Sequence, residues 1–393
     1  MMSPTPLSLF CVLLICLPLA IVFTVVTPPA TTIRSITSTS TSTSQTRTNP
    51  ETRVIETTRI TTTTISSSLP ARPPSTTEDD DQMLFRRAAG VKPDPLLPKR
   101  LAFMFLTTTP LPFAPLWELF FNSTRAQEKL YNIYVHADPS FPYDPPFSGV
   151  FENRVIPESK PTRRHSPTLI SAARRLLSHA LLEDPSNSMF ALLSSACIPL
   201  HSFDFTYEAL VKSDKSFIEI LKDEPGAWAR WAARGERVML PELPFEDFRI
   251  GSQFFVLTRK HARLVANETR LWSKFKLTCL RKNKNTCYPE EHYFPSLISM
   301  EDPRGCVPAT LTHVDWRGRH DGHPRTYGVS EVGPKLILAL RKDVPRYGVN
   351  VDGTNGSHSS MRKRGDPFLF ARKFSPDSIA TLVRIANDVI FKD

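Results

Sequence analysis

Apolar and polar positions divide the chain into three unlike stretches. Leu7 to Val26 is almost wholly apolar and holds no charged side chain over its 20 residues. At helical rise that length spans about 30 Å, the hydrocarbon thickness of a bilayer. A cleaved secretory leader has a shorter apolar stretch behind a basic start. Residues 1–6 hold no Lys or Arg, so the pattern favours an uncleaved membrane anchor over 7–26 behind a short tail. From 27 to 98 Ser, Thr and Pro dominate and no apolar period is sustained. Such a segment cannot offset its ordering entropy and predicts a flexible stem, open to O-glycosylation. Its acidic run, Glu78 to Asp81, reads as a solvated patch.

From 99 to 393 the pattern changes to that of a folded domain. LAFMFLTTT after Arg100 is an apolar run of strand length, FAPLWELFFN has helical spacing, and LYNIYVHAD (Leu130 to Asp138) is again a buried strand. Strand, helix, strand in this span is the mark of a parallel βαβ unit. Ser166 to Asp184 reads as an amphipathic helix with Ser166 as N-cap and Pro167 at its first position. Met189 to Leu200 reads as a third strand, FTYEALVKS as a helix and SFIEILK as a strand. The alternation predicts an α/β domain with a mainly parallel, doubly covered sheet. Ligands of such sheets bind at the carboxyl ends of the strands, here Thr107–Thr109, Asp138 and Ser194–Ser195. Further on, Arg249 to Glu268 reads as a strand entering a helix, and Cys287 to Met300 as a helix starting near Pro289. Thr312 to Tyr327 reads as a loop, and the C-terminal segment as a short strand or turn followed by a helix N-capped at Ser375.

Composition adds one fact to this picture. The net charge is +10, and all but +1 of it falls in residues 99–393. That balance suits a phosphorylated or polyanionic substrate. No nucleic-acid-binding motif accompanies it, so a nucleic-acid partner is not expected. No GxGxxG follows a strand, and P-loop, GxSxG, CxxC and HExxH motifs are all missing. His320, Asp321 and His323 lie close together, but with no further ligand group they read as a loop, and no metal site is expected.

The segment with chemistry is Tyr288-Pro-Glu-Glu-His-Tyr-Phe. Glu290 and Glu291 stand at a helix start, where the dipole favours carboxylates, so a capping role explains them as well as catalysis does. Adjacent helical residues point about 100° apart, so one carboxyl can face a site while the other does not.

Several segments together resemble one known family: FLTTTPLPFAPLWELFF, LYNIYVHAD, FALLSSACIPLHSF, GSQFFVLTR, CYPEEHYFPSLI, THVDW, GHPRTY and FARKF, in that order. They are similar to the plant branch of the core-2/I-branching β-1,6-N-acetylglucosaminyltransferases, over about residues 99 to 375. The resemblance implies a variant GT-A (Rossmann-like) domain over 99–393. It implies a type II Golgi membrane protein with a lumenal catalytic domain, a UDP-sugar donor and a glycan or glycoprotein acceptor. It also implies an inverting reaction without a divalent metal, and no Asp-x-Asp follows the strand ending near Ser194–Ser195. The family's catalytic base falls on Glu291, with Glu290 as the alternative. The aspartate that contacts the nucleoside falls on Asp138, and the two cations that hold the diphosphate on Arg325 and Lys373, with Arg372 or Arg319 as substitutes for Arg325. N-acetylglucosamine is the namesake donor sugar; glucuronic acid and xylose are used by related members. A catalytically silent, anchored glycan-binding protein of the same fold is the rival reading.

A lumenal compartment agrees with Asn-x-Ser/Thr sequons at Asn122, Asn267 and Asn355, against the weak pull of Arg34 and Arg47 behind the apolar span. Of the four cysteines beyond the span, Cys279 and Cys287 flank a basic loop just before the glutamate pair. A bridge between them would brace that helix.

Overall fold

A computed structural model describes residues 77–280, 286–318, 322–348 and 365–393. In chain order the elements begin with helix α1 (Thr77–Gly90), strand β1 (Arg100–Thr107), helix α2 (Ala114–Phe120) and strand β2 (Tyr131–Ala137). Helix α3 (Thr168–Glu183), strands β3 (Asn187–Ser194) and β4 (Ile198–Pro199), and helix α4 (Phe203–Val211) follow. Next come β5 (Ser216–Phe217), α5 (Ala227–Trp231), β6 (Val256–Thr258) and α6 (Arg259–Asn267). The last are α7 (Glu290–Glu301), β7 (Cys306–Val307), β8 (Thr312–Val314), α8 (Pro334–Lys342), β9 (Phe370–Arg372) and α9 (Ile379–Arg384).

Six strands form one sheet in the order β2-β1-β3-β6-β5-β7. β1 runs parallel to β2 and β3, β6 is antiparallel to β3 and β5, and β5 is parallel to β7. This is a mixed α/β layering with a mainly parallel sheet, which fits a Rossmann-like GT-A fold. Side chains alternate between faces along a strand. Phe103 and Phe105 therefore enter one core, and Ala102 and Met104 the other, all fully buried. Covered on both faces, β1 reads as a continuous apolar run. On the first face Trp117 of α2 meets the Phe103 and Phe105 rings at centroid distances of 6.2 and 5.2 Å. Its indole N–H donates to the Cys197 carbonyl at 3.2 Å, which satisfies its one polar atom. On the second face α3 buries Ile170, Ala173, Leu176, Leu177, Ala180 and Leu181 at helical spacing.

Four sequence expectations change. Residues 77–90, expected within the 27–98 stem, form α1. Of its apolar residues only Phe85 and Ala88 are fully buried, and tertiary contacts hold the helix. The Arg174 guanidinium lies 4.4 Å from the Phe85 ring centroid, and Arg263 donates to the Ala89 carbonyl at 2.7 Å. Asp81, read as part of a solvated patch, pairs with Lys160 at 2.8 Å and with the guanidinium of Arg175. Second, α3 starts at Thr168 with Pro167 in the N-cap position; the Ser166 hydroxyl donates instead to the Arg163 carbonyl at 2.7 Å. Third, the run from Met189 to Leu200 is two strands. The chain turns after Ser194, and β4 joins a second sheet of order β4-β9-β8. Fourth, Thr312–Val314, read as loop, is the strand β8 of that sheet, paired in parallel with β9. The apolar span 7–26, the stem up to residue 76 and Asn355 lie outside the described residues. Among the described residues no helix is long and apolar enough to cross a membrane.

Because Trp117 joins β1, α2 and the Cys197 turn, Trp117→Ala should destabilise the domain by about 3–5 kcal/mol. The fall in midpoint of a urea unfolding curve measures it.

Candidate active site

The site is built on the first turn of α7. Pro295, inside this helix, has no N–H to give to the carbonyl four residues earlier, which belongs to Glu291. Gly251 supplies the missing bond, donating its N–H to the Glu291 carbonyl at 2.8 Å. One turn on, the Arg249 N–H donates to the Ser296 hydroxyl at 2.9 Å. The helix start is thus stitched to residues 249–251, and Ile250 is bridged in turn to Leu221. Glycine is required at 251: a Cβ there would lie 2.0 Å from the Glu219 carbonyl oxygen and 3.1 Å from Cγ of Pro295.

The two glutamates then diverge. Glu290 is 4% exposed, and its Oε2 has no hydrogen-bond partner among the described residues. Burial, helped by the Glu291 charge, pushes its pKa up to about 8 against the pull of Arg164 and Arg234. Glu290 is therefore neutral at pH 7. Glu291 keeps 34% of its side chain exposed, and its Oε2 lies 3.3 Å from the Arg230 guanidinium. Burial raises its pKa too, and Arg230, Arg164 and Arg372 oppose the rise. The N-cap position is Pro289, which makes no side-chain cap bond. Glu219 is the third carboxyl in this field, pushed up to about 7 by burial, with Arg346 opposing and the Glu224 and Glu291 charges adding.

Cations line up from Glu291 outward. The Tyr288 ring has Arg230 and Arg164 at 5.3 and 5.6 Å from its centroid. Arg164 reaches the His323 Nε2 and donates to the Gly322 carbonyl at 3.4 Å. The other ring nitrogen of His323 lies 3.4 Å from the Lys373 ammonium. Lys373 arrives through the second sheet. Past the β8–β9 pairing, Tyr327 bridges to Phe374, and its N–H donates to the Lys373 carbonyl at 2.9 Å. Arg372 lies over the Phe254 ring at 4.5 Å, its pKa lowered by burial. Asp138 ends β2 with both carboxylate oxygens engaged: Oδ1 accepts from the Ser140 N–H at 2.8 Å, and Oδ2 from the Thr162 N–H and hydroxyl at 2.6 and 2.7 Å. Burial would raise this acid, but the Thr162 and Ser140 bonds outweigh it and hold the carboxyl below its usual range.

A partly open carboxyl beside a row of cations has the outline of a group-transfer site, and comparison with known proteins gives the chain's family. Residues 101–341 match the family model described as Core-2/I-Branching enzyme. The chain belongs to this family. A rice protein (Oryza sativa subsp. japonica) named glycosyltransferase BC10 is 32% identical over 317 residues, covering 73% of this chain and 77% of the relative.

Of the residues the sequence singled out in this Core-2/I-Branching enzyme, Glu291 and Lys373 are joined by a continuous series of contacts through Arg230, Tyr288, Arg164 and His323. Asp138 joins through Thr162, two residues before Arg164. The Arg325 guanidinium pairs with Glu331 and lies 3.7 Å from Asp315. Arg319, His320 and Asp321 lie outside the described residues. Arg164 and Arg230 escaped the sequence reading, since each sits in a basic segment resembling solvated surface. Their signal was an Arg-Arg-His run before α3 and an Arg between two Trp residues. Among the described residues no group of three His, Cys, Asp or Glu side chains is placed to hold a metal ion. Cys279 and Cys287 form a disulfide, and the Cys287 carbonyl lies 3.1 Å from His165 Nδ1. Asn122 and Asn267 are exposed.

Gly251→Ala should cost about 1–3 kcal/mol by forcing Glu219 and α7 apart, measurable by chemical denaturation. Glu290 links stability to pH. The folded chain holds its proton up to about pH 8, whereas the usual glutamate value is 4.5. Between those values the folded state binds the extra proton, so stability falls as pH rises through that window. Glu290→Gln removes this loss. Its unfolding midpoint should rise progressively above that of the unsubstituted chain from pH 5 to pH 8, and a constant difference across that range would refute the assignment.

Proposed function

We propose that this enzyme is an inverting, metal-independent glycosyltransferase that moves a sugar from a UDP-sugar to a glycan hydroxyl. Glycosyltransferase activity follows from its family and from the rice relative. One observation carries the mechanism: Glu291, partly open, with a raised pKa and paired to Arg230, stands at one end of a row of cations that ends at Lys373.

The acceptor hydroxyl oxygen attacks the anomeric carbon and forms the new glycosidic bond. Its proton passes to the Glu291 carboxylate. The bond from the anomeric carbon to the β-phosphate oxygen breaks, and UDP leaves with that electron pair. The attack comes from the face opposite the leaving group, so the configuration inverts. Charge builds on the departing phosphate, where fixed cations act most strongly in a water-poor site. Arg164 and Lys373, on either side of His323, fill that role, Arg as a planar fork and Lys as a point charge. This arrangement takes the place of a divalent metal, in keeping with the missing Asp-x-Asp after β3. Arg230 against the Glu291 carboxylate favours its charged form, whereas burial favours the neutral form of Glu290. Arg230 holds the base in place and lowers the charge it presents to the phosphates.

N-acetylglucosamine is the proposed donor sugar, on the family's namesake activity. We place the enzyme in the Golgi membrane as a single-pass type II protein with its catalytic domain lumenal. The apolar span at 7–26, exposed sequons at Asn122 and Asn267, and the Cys279–Cys287 bridge support that placement.

Glu291→Gln keeps the shape of the side chain and removes the base. Acceptor-dependent UDP release in EDTA should fall by about 10²–10⁴-fold, while UDP binding by calorimetry stays within about threefold. Full activity in the Gln variant would end the assignment of Glu291 as base, and loss of wild-type activity in EDTA would end the metal-independent reading.

A further inference from the structure

Residues 157–165 carry Thr162 and Arg164 to the site, yet they have no regular structure to hold them. Pro157 and Pro161 withhold backbone donors. Glu158 and His165 adopt left-handed backbone at φ 58° and 62°. Non-glycine residues in that region cost of order 1 kcal/mol each and persist only where the surroundings enforce them. The segment's position must therefore come from side-chain and cross-chain anchors.

Several anchors are in place. Beside Arg164, the Arg163 N–H donates to the Thr168 hydroxyl at 2.8 Å and His165 Nδ1 lies 3.1 Å from the Cys287 carbonyl. Upstream, Thr162 is bound to the Asp138 carboxylate at the end of β2. Lys160 is the anchor that reaches α1: its ammonium lies 2.8 Å from Asp81, with side-chain exposures of 26% and 15%. Its backbone N–H donates to His136 Nε2 at 3.3 Å. Asp81 is itself held by the buried Arg175, and α1 by Phe85 and by the Arg263 bond to Ala89. Burial would raise Asp81, but Arg175 and Lys160 outweigh it and keep the acid charged. From Lys160 the chain runs through Thr162 to Arg164, which touches Tyr288 and His323.

We infer that Lys160 is a positioning residue, and that the helix following the Ser/Thr-rich stretch sets through it where Arg164 stands among the phosphate-binding cations. This rests on the reading of Arg164, His323 and Lys373 as the diphosphate site. α1 is then a working part of the donor site, not a spacer. Removing Lys160 leaves Asp81 paired with Arg175, so no buried charge is orphaned and the fold should survive.

The test is UDP binding by calorimetry to the full 393-residue chain, with thermal unfolding in parallel. Four proteins are compared: unsubstituted, Lys160→Met, Lys160→Arg and Arg164→Met. Lys160→Met should weaken UDP binding by about fivefold, the scale of one partly buried ion pair. The unfolding midpoint should move by only about 2 °C. Lys160→Arg should restore affinity, and Arg164→Met should lose more than Lys160→Met. Unchanged affinity in Lys160→Met, or a loss that Lys160→Arg does not rescue, overturns the inference while the site reading stands. If the unsubstituted chain, or Arg164→Met alone, contradicts the donor site by failing to bind UDP or by binding it normally, that reading falls first and takes the inference with it.

Discussion

The helix bearing both glutamates is fastened at the point where its own hydrogen bonding fails. Pro295 leaves the Glu291 carbonyl without a helical donor, and Gly251 provides one from another part of the chain. A buried carbonyl left unpaired is costly, so this bond is close to obligatory. It fixes the helix start against residues 249–251, and through the Leu221–Ile250 bridge against the segment bearing Glu219. Only a residue without Cβ can approach Glu219 and Pro295 this closely. The directions of Glu290 and Glu291, and hence the division between a buried acid and a partly open one paired to Arg230, follow from that attachment.

That division is an electrostatic consequence of placement. Both glutamates are raised by burial, and both feel Arg164. The difference is contact. Glu291 has Arg230 against its carboxylate, whereas Glu290 has an oxygen with no partner among the described residues. Low dielectric strengthens a paired charge and penalises an unpaired one. The row from Arg230 to Lys373 uses the same physics in the other sense. Several cations stand close together, with the Tyr288 ring and His323 between them, and such an array favours an anion that bridges it.

The layered core was legible because its signals are local. Continuous apolar runs marked β1, β2 and β3, and helical spacing marked α3. The Tyr-Pro-Glu-Glu segment marked the start of α7. The elements that escaped are those whose stability is not local. α1 buries two apolar side chains and depends on Asp81, Arg174 and Arg263 meeting partners elsewhere in the chain. β8 has three residues and exists by pairing with β9. Short strands of this kind carry no periodicity to read.

Residue order alone determined the α/β class, the two-faced burial of the central strand, the family, and Glu291 and Lys373 as candidates for chemistry. The local pattern could not separate Glu290 from Glu291, because adjacent identical residues differ only in what surrounds them; the family resemblance alone put Glu291 first. Nor could it select Arg164 and Arg230 from 49 basic side chains, since a basic residue becomes a site residue only through the groups brought against it. The tertiary structure gives these side chains different surroundings. It aimed one carboxyl into the core and the other at Arg230, turned Arg325 toward Glu331, and used the second sheet to carry Lys373 to His323. Those are contacts between residues far apart in the chain, set by packing and pairing that no local pattern encodes.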